Sequence, residues 1–255
     1  MDILTVLIIA LGINFAMFIP AFWFKTDKLT DVSYAATFGI IALLNLFMGA
    51  ITLPSTILTT VILVWAIRLG GYLFIRINKT GKDARFDKMR KSFWHFGRFW
   101  LIQGFTVWVI LLPSIFFWAK DHVSFPWYSY IGLALFALGL VIETVADTQK
   151  FKFISNSANK GKWIESGLWK YSRHPNYFGE IIVWLGLYLY VFYALNMLES
   201  MVGAIGPLYI ALLIIFGSGI PILEKNADKK WGHNPDYQNY KKSTPVLVPW
   251  FRKKV

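Results

Sequence analysis

The chain has 255 residues, 56% of them hydrophobic, and its formal net charge is +12. This composition is too apolar for an ordinary soluble domain and predicts an integral membrane protein. The absence of cysteine from the sequence excludes disulfide bonds, thiolate nucleophiles and cysteine-ligated metals.

Apolar runs of about twenty residues predict seven membrane-spanning helices, so we expect an all-α, polytopic bundle that forms a single domain over residues 1–255. The predicted spans, in chain order, are Ile3–Phe24, Val32–Ala50, Thr56–Ile75, Phe99–Trp118, Trp127–Ala146, Tyr177–Tyr193 and Gly203–Ile222. A tight turn, ITLPS, precedes the third span. No internal repeat or linker divides the chain.

The positive charges predict the orientation of these spans. Cytoplasmic loops of membrane proteins are rich in Lys and Arg, so we place two basic loops, residues 76–98 and 150–173, and the C-terminal tail in the cytoplasm. The N-terminus is then outside, and Lys120 is the only Lys or Arg in the outer loops. Positive loops that face anionic lipid account for the net charge, so we expect no nucleic-acid partner. We favour the bacterial inner membrane over the endoplasmic reticulum.

A polar stripe interrupts the third apolar run. Arg68, Tyr72 and Arg76 are spaced four residues apart and share one helix face. Arg68 lies well inside the span, where a charged side chain is by default a functional hypothesis. We expect an anionic partner for Arg68, whereas Arg76 can extend to the cytoplasmic surface.

Two carboxylates, Glu143 and Asp147, end the fifth span. They lie four residues apart on one face and repel each other unless cations or donor groups of a ligand meet them. The alternative is a hydrated helix end that pairs with Lys150.

The stretch GLWKYSRHPNYFGEIIVWLG, which leads into the sixth span, is the centre of the predicted site. Pro175 fits the first turn of a helix and disfavours helical geometry at the preceding residue, His174, so the helix is predicted to start at Pro175. Asn176 and Glu180 then share one face. The free N–H groups of the helix start, with Arg173 beside them, predict an anion site.

The tail beyond Glu224 contains Tyr237, Tyr240 and several lysines, which suit either an interfacial anchor or a lid over a cofactor. Polar groups thus collect at the cytoplasmic ends of spans three, five, six and seven. They predict a pocket for a water-soluble, anionic, amide-bearing ligand, open sideways to a lipid-soluble substrate. The sequence contains no GxGxxG or Walker motif. Its four histidines are scattered, so no metal site is expected.

Five motifs occur in the order TDKLTD, RLGGYLFIR, ADTQK, SRHPNYFGE and YQNYKKSTPVLVP. In this set the chain resembles the steroid 5α-reductase and sterol reductase group over nearly its full length, and in particular the bacterial-type family DUF1295. The resemblance implies a seven-span membrane oxidoreductase that uses NADPH to reduce a carbon–carbon double bond in a lipophilic substrate. We expect the protein to be a monomer.

The same resemblance implies roles for individual residues. Asn176 and Glu180 would hold the nicotinamide end of the cofactor, and Asp147 would contact the nucleotide. Arg68 best matches an arginine that contacts cofactor phosphate, and Tyr237 or Tyr240 would line the nucleotide site. The predicted cofactor-binding set also includes residues of the RHPNY motif, namely Arg173, His174 and Tyr177.

One departure from the family concerns the substrate. Steroid-reducing members carry a glutamate and a tyrosine that hold the steroid ketone, whereas this chain has Thr52 and Trp65 near those places. Tyr72 is the candidate substitute acid, so we predict it as the catalytic residue. A fatty-acyl or isoprenoid lipid is at least as good a candidate substrate as a steroid.

Two alternatives remain. RHPxY followed by xG also occurs in isoprenylcysteine and phospholipid methyltransferases, which bind S-adenosylmethionine and usually carry paired glutamates where this chain has Glu224-Lys225. The other alternative is a non-catalytic lipid-binding protein.

Overall fold

A computed structural model describes residues 1–80, 86–87, 89–120 and 125–252. Parts of the predicted basic loop 76–98 and of the linker before the fifth span, with His122, lie outside these residues. Within the described ranges all regular secondary structure is helical, which confirms the predicted all-α class.

The α-helices, in chain order, are α1 (Ile3–Trp23), α2 (Lys28–Met48), α3 (Leu53–Thr80), α4 (Phe93–Trp118), α5 (Ser129–Ser155), α6 (Pro175–Val191), α7 (Met197–Gly203), α8 (Ile205–Phe216), α9 (Ile220–Trp231) and α10 (Pro235–Ser243). In the described part of the chain, seven helical stretches are long and apolar enough to cross a membrane, as predicted. They are α1 to α6 and the stretch Met197–Trp231, which contains α7, α8 and α9.

Several helices continue beyond the apolar runs that predicted them. α3 extends to Thr80 and α5 to Ser155, because hydropathy detects only the part of a helix that suits lipid, while polar residues can continue its backbone hydrogen bonds. The seventh predicted span is not one continuous helix. α8 ends before Gly217 and α9 begins at Ile220, and two glycines so close together weaken a helix by removing side chains and increasing backbone freedom.

The described chain groups into two compact units. Unit 1 comprises Met1–Ser129 and Val191–Gly206, and unit 2 comprises Tyr130–Tyr190 and Pro207–Val255. Whether the whole chain forms one domain stays a prediction.

A buried polar network connects three helices of unit 1. The side-chain amide of Gln103 on α4 donates to Asn14 Oδ1 on α1 at 2.8 Å and to Ser33 Oγ on α2 at 3.0 Å. Asn14 Nδ2 in turn donates to Thr37 Oγ1 on α2 at 3.2 Å. Interhelical hydrogen bonds of this kind hold membrane helices together, because lipid offers these groups no partner.

In unit 2, α5 and α6 pack through glycines that recur at seven-residue intervals, Gly132 and Gly139 on α5 and Gly179 and Gly186 on α6. A Cβ atom on Gly139 would lie 2.6 Å from the backbone nitrogen of Val183 and 2.7 Å from the carbonyl oxygen of Gly179. A Cβ atom on Gly179 would lie 2.6 Å from the backbone nitrogen of Glu143. Small residues permit such backbone contact between membrane helices. The contact places the acidic residues Glu143 and Asp147 of α5 beside the start of α6.

Replacing Gly139 by alanine should therefore separate α5 from α6. We expect Gly139→Ala to lower the free energy of unfolding by about 1–3 kcal/mol, the usual cost of overpacking, and to lower Tm in detergent. Gly12→Ala on α1 is the matched control, because a Cβ there meets nothing within 4 Å. The control should be neutral or stabilising. Equal Tm values for the two variants would contradict the proposed role of the glycines.

Candidate functional site

Unit 2 contains a cavity of about 280 Å³ between α5, α9, α10 and the segment that precedes α6. We call it the basic aromatic cavity, because its polar lining is mostly cationic and its walls are largely aromatic. The polar and aromatic residues of the lining are Lys150, Phe153, Lys162, Trp163, Trp169, Arg173, His174, Glu224, Asn226, Lys230, Trp231, Tyr237 and Tyr240. Four of the predicted cofactor-binding residues therefore line one cavity: Arg173, His174, Tyr237 and Tyr240.

Glu224 on α9 connects the RHP motif to this cavity. Its carboxylate lies 2.7 Å from His174 Nε2 and forms an ion pair with Arg173 Nη1 at 2.9 Å. Lys241 Nζ of α10 lies 3.9 Å from the same carboxylate. The side chain of Arg173 is only 9% exposed, so the guanidinium and carboxylate are largely removed from water. Charges in such surroundings persist when they are paired and hydrogen-bonded.

His174 is neutral in this environment. Burial lowers the pKa of His174 below its ordinary value; Lys150 and Arg173 lower it further, and the hydrogen bond and charge of Glu224 oppose the shift. Because Nε2 faces the carboxylate, we assign the proton to Nε2. Nδ1 is then an acceptor, buried and without a hydrogen-bond partner among the described residues. Tyr177 stacks on the imidazole at a centroid distance of 5.8 Å.

Aromatic rings and lysines form the walls of the cavity. Tyr237 lies 5.3 Å from Trp163 and 5.8 Å from Trp231, measured between ring centroids. Lys150 Nζ lies 4.6 Å from the centroid of Trp169, and Lys230 Nζ lies 4.5 Å from that of Trp231. Two buried donors in the lining, Trp163 Nε1 and Arg173 Nε, have no hydrogen-bond acceptor among the described residues. The cavity thus offers flat apolar surfaces, positive charge and hydrogen-bonding groups of both kinds.

The C-terminal helix α10 closes one side of this cavity. Asn234 caps the helix, and Lys241 fixes it to α9 through Asp228, whose two carboxylate oxygens lie 2.6 and 2.7 Å from the ammonium group. The hydroxyl of Tyr240 donates to the carbonyl oxygen of Trp169 at 3.0 Å. Burial raises the pKa of Tyr237 to about 12 and also raises that of Tyr240, so both are neutral phenols. The tail therefore folds back onto the predicted site.

A second predicted group lies where α5 meets α6. Asn176 Nδ2 donates to Asp147 Oδ1 at 3.2 Å. Asp147 and Glu143, one turn before it on α5, are 5% and 3% exposed, so the two carboxylates are buried and not hydrated. Pairing with Lys150 stays a prediction. α6 begins at Pro175, as predicted, and Glu180 lies one turn after Asn176 in a partly buried position. The lining of the basic aromatic cavity does not include Asp147, Asn176, Tyr177 or Glu180.

The remaining predicted residues, Arg68 and Tyr72, lie on α3 in unit 1. The guanidinium carbons of Arg68 and Arg76 lie 5.7 and 6.0 Å from the ring centroid of Tyr72, which confirms the predicted stripe. Arg76 Nη2 also pairs with Asp31 Oδ2 of α2 at 3.1 Å. The phenol ring is thus held between two cations.

The residues in the places of the family's substrate-holding pair have structural roles. Thr52 exchanges hydrogen bonds with Ser55 in the turn before α3, and its carbonyl oxygen accepts from Thr56. Trp65 is fully buried against Phe38, with ring centroids 5.0 Å apart.

Sequence reasoning did not select Glu224, Lys150, Trp163 or Trp231 as site residues. The sequence indicated Glu224 only as a polar group at a span end and as the counterpart of the paired glutamates of the methyltransferases. A further signal for it was a lone carboxylate directly after an apolar run, in a chain whose RHP motif offers two potential cations, Arg173 and His174. The tryptophans gave no signal, because they lie in polar segments without periodicity.

The low pKa of His174 predicts an acid-sensitive fold. The unfolded chain takes up a proton at this histidine near pH 6.5, its ordinary value, whereas the folded chain does so only at lower pH. Stability therefore falls as the pH drops through and below that value. His174→Gln cannot be protonated, so we expect it to lose less stability than the wild type over this range. Tm of both proteins measured from about pH 7.5 to about pH 5 tests this. Equal losses of Tm in the variant and the wild type over this range would contradict the prediction.

Comparison with known proteins gives a family match and a distant relative, each over most of the chain. The family described as Protein of unknown function (DUF1295) matches residues 17–244. An uncharacterized protein of Schizosaccharomyces pombe is 24% identical over 208 residues, which cover 71% of this chain and 57% of that protein. The chain thus spans a little over half the length of this relative.

A shorter match has a named activity. The probable O-methyltransferase ustE of Ustilaginoidea virens is 44% identical over 50 residues, which are 20% of this chain and 18% of that protein. No solved structure matches the chain significantly.

Proposed function

The chain belongs to the DUF1295 family, and we propose that it is a membrane oxidoreductase that uses NADPH to reduce a carbon–carbon double bond in a lipophilic substrate. The observation that carries the proposal is the basic aromatic cavity, in which two buried donors and one buried acceptor have no hydrogen-bond partner among the described residues. The cavity would face the cytoplasm, with the N-terminus on the opposite side of the membrane. Steroid-, isoprenoid- and fatty-acyl-like lipids are the candidate substrates.

The cavity suits the adenosine end of NADPH. Aromatic side chains stack on a nucleotide base, and lysines and arginine pair with phosphate. The unpartnered Arg173 Nε and Trp163 Nε1 would donate to the ligand, and His174 Nδ1 would accept from an exocyclic amine. At about 280 Å³ the cavity is at the small end for ligand sites, so it would hold one end of a dinucleotide. An open polar groove of about 610 Å³ adjoins it and shares Lys162, Trp163 and Tyr240 with it.

The hydrogen-bonded pair of Asp147 and Asn176 suits an amide ligand. A carboxamide has an N–H donor group and a carbonyl acceptor. The carboxylate of Asp147 can accept from the N–H group, and the side-chain amide of Asn176 can donate to the carbonyl oxygen. Glu180, one turn further along α6, adds a second carboxylate on the same face. These three residues would hold the nicotinamide end, where NADPH supplies a hydride when bound.

Tyr72 is the proposed proton donor. Its phenol would give a proton to the oxygen of a conjugated carbonyl that is reduced at its β-carbon, and the resulting enol would tautomerise to the saturated carbonyl. The guanidinium groups of Arg68 and Arg76, whose central carbons lie 5.7 and 6.0 Å from the ring centroid, would stabilise the phenolate left on Tyr72. Water would then restore the phenol.

The direct test is ligand-induced stabilisation. Purified protein in detergent is melted with NADPH, NADH or S-adenosylmethionine, and a ligand that binds the folded state at about 100 times its Kd stabilises by about 2.7 kcal/mol. We expect NADPH to raise Tm and S-adenosylmethionine to leave it unchanged. A shift with S-adenosylmethionine alone would overturn the proposal.

Asn176→Ala and Glu180→Gln should each weaken NADPH binding by about tenfold, or about 1.4 kcal/mol, because each removes a group that holds the carboxamide. Isothermal titration gives Kd, and Tm without ligand tests the fold. Unchanged NADPH affinity in both variants would contradict the assignment of this pair.

Tyr72→Phe should retain the NADPH affinity of the wild type but reduce turnover of a lipid enone by about 10²-fold or more, since the general acid is lost. Full turnover in Tyr72→Phe would remove this tyrosine from the mechanism.

Arg68→Ala should bind NADPH with lower affinity than the wild type, and the difference should shrink at high salt if the arginine pairs with cofactor phosphate.

Methyl transfer from S-adenosylmethionine is the second candidate. It is favoured by the short match to the probable O-methyltransferase and by the position of Glu224, which joins the RHP motif to the cavity. A carboxylate and an ammonium group, as in a methionyl moiety, would also satisfy Arg173 Nε and His174 Nδ1. Binding of a lipid without catalysis is the third candidate, and it predicts no stabilisation by either cofactor.

A further inference from the structure

The chain after α10, residues 244–252, has no regular secondary structure, and we call it the C-terminal strap. It lies along the segment that precedes α6. The backbone nitrogen of Arg173 donates to the carbonyl oxygen of Pro245 at 2.9 Å, and that of Trp250 donates to the carbonyl oxygen of Tyr171 at 3.0 Å. Ser172 Oγ donates to the carbonyl oxygen of Leu247 at 2.7 Å. Hydrogen bonds at both ends and in the middle fix the register of the strap.

This register gives the strap one outward apolar face. Val246, Val248 and Trp250 are 41%, 59% and 69% exposed, whereas Leu247 and Pro249 between them are more covered. Phe251 extends the exposed surface and packs edge-on against Tyr171, with ring centroids 6.1 Å apart. These four exposed side chains are all apolar, and they give the strap an apolar outer edge. Apolar surface of this kind marks an interaction site rather than a face for water.

The position of the strap identifies what covers this edge. Its first hydrogen bond is to Arg173, two residues before Pro175 begins α6, and α6 is one of the helices that can cross a membrane. The strap therefore lies at the level where α6 leaves the lipid. Trp and Tyr side chains favour this interfacial layer.

Positive charges flank the apolar edge. Lys170 and Lys242 are exposed, and Arg252 lies at the end of the strap with its side chain paired to Glu165 at 3.1 Å. By sequence two further lysines, Lys253 and Lys254, follow. Basic residues beside a membrane attract anionic lipid by about 1 kcal/mol each. An apolar edge with a basic border complements an anionic lipid surface.

We propose that the outward edge of the C-terminal strap binds the anionic headgroup layer of the leaflet at which α6 begins, and that this contact holds α10 against the basic aromatic cavity. The strap continues directly from α10, whose Tyr237 and Tyr240 line the cavity. Lipid that fixes the strap also limits the movement of α10. The inference does not depend on which ligand the cavity takes.

The absence of cysteine from the sequence permits a direct test. Val248→Cys introduces a single thiol on the outward edge, and an environment-sensitive fluorophore on it reports polarity. In nanodiscs of phosphatidylcholine with phosphatidylglycerol we expect a blue-shifted emission and protection from aqueous iodide, compared with nanodiscs of phosphatidylcholine alone. The same label on Ser157→Cys, an exposed site of unit 2 outside the strap, is the matched control and should stay accessible in both.

Charge reversal separates electrostatic attraction from insertion of the label itself. In the labelled Val248→Cys background, Lys170→Glu with Lys242→Glu should abolish the difference between the two lipid compositions. Val246→Cys serves as a second reporter on the same edge if Val248→Cys reduces Tm. Equal emission and equal quenching in both lipids at both edge positions would overturn the proposal.

Discussion

The close contact between the α5 and α6 backbones determines the geometry of unit 2. Gly139 on α5 and Gly179 on α6 have no side chain, so the backbone of the opposite helix lies where a side chain would be. A Cβ atom on either glycine would be only 2.6 to 2.7 Å from backbone atoms of that helix. At this separation the side chain of Asn176 reaches Asp147, one turn beyond the contact. The glycine of NYFGE is therefore as much a packing residue as a part of the polar motif. Asn176, Gly179 and Glu180 serve the same helix pair.

Glu224 determines how the elements of unit 2 outside the α5–α6 pair are joined. One carboxylate joins α9 to Arg173 and His174, and Lys241 of α10 approaches it. A largely buried carboxylate with three cationic or titratable neighbours is costly to assemble, and well-packed apolar residues are often as stable. The cluster makes physical sense if it orients Arg173 and His174 toward a ligand. Their unpartnered Nε and Nδ1 atoms, buried in the cavity lining, support this interpretation.

The sequence predicted the features of the fold that depend on local chemistry. Apolar runs gave seven spans, and Pro175 gave the first residue of α6, because both depend on residues adjacent in the chain. The stripe of Arg68, Tyr72 and Arg76 followed from helical spacing alone. The break at Gly217–Gly219 was missed because hydropathy does not register backbone freedom. The cavity walls were missed because Trp163 and Trp231 come together only when α9 and the pre-α6 segment fold onto each other.

The C-terminal tail can be both an anchor at the membrane interface and a lid over the basic aromatic cavity. In the chain that follows α10, exposed and more covered side chains alternate from Val246 to Trp250, while the backbone of the same segment forms hydrogen bonds. The hydrogen bonds are made to residues 171–173, so the inward side is joined to the cavity wall while the outward side presents Val246, Val248 and Trp250. Arg173 belongs to both arrangements, through its backbone to the strap and through its side chain to Glu224. The strap is thus joined to the cavity wall both through Arg173 and through its continuity with α10, so contact of the strap with the membrane surface would also limit the movement of that wall.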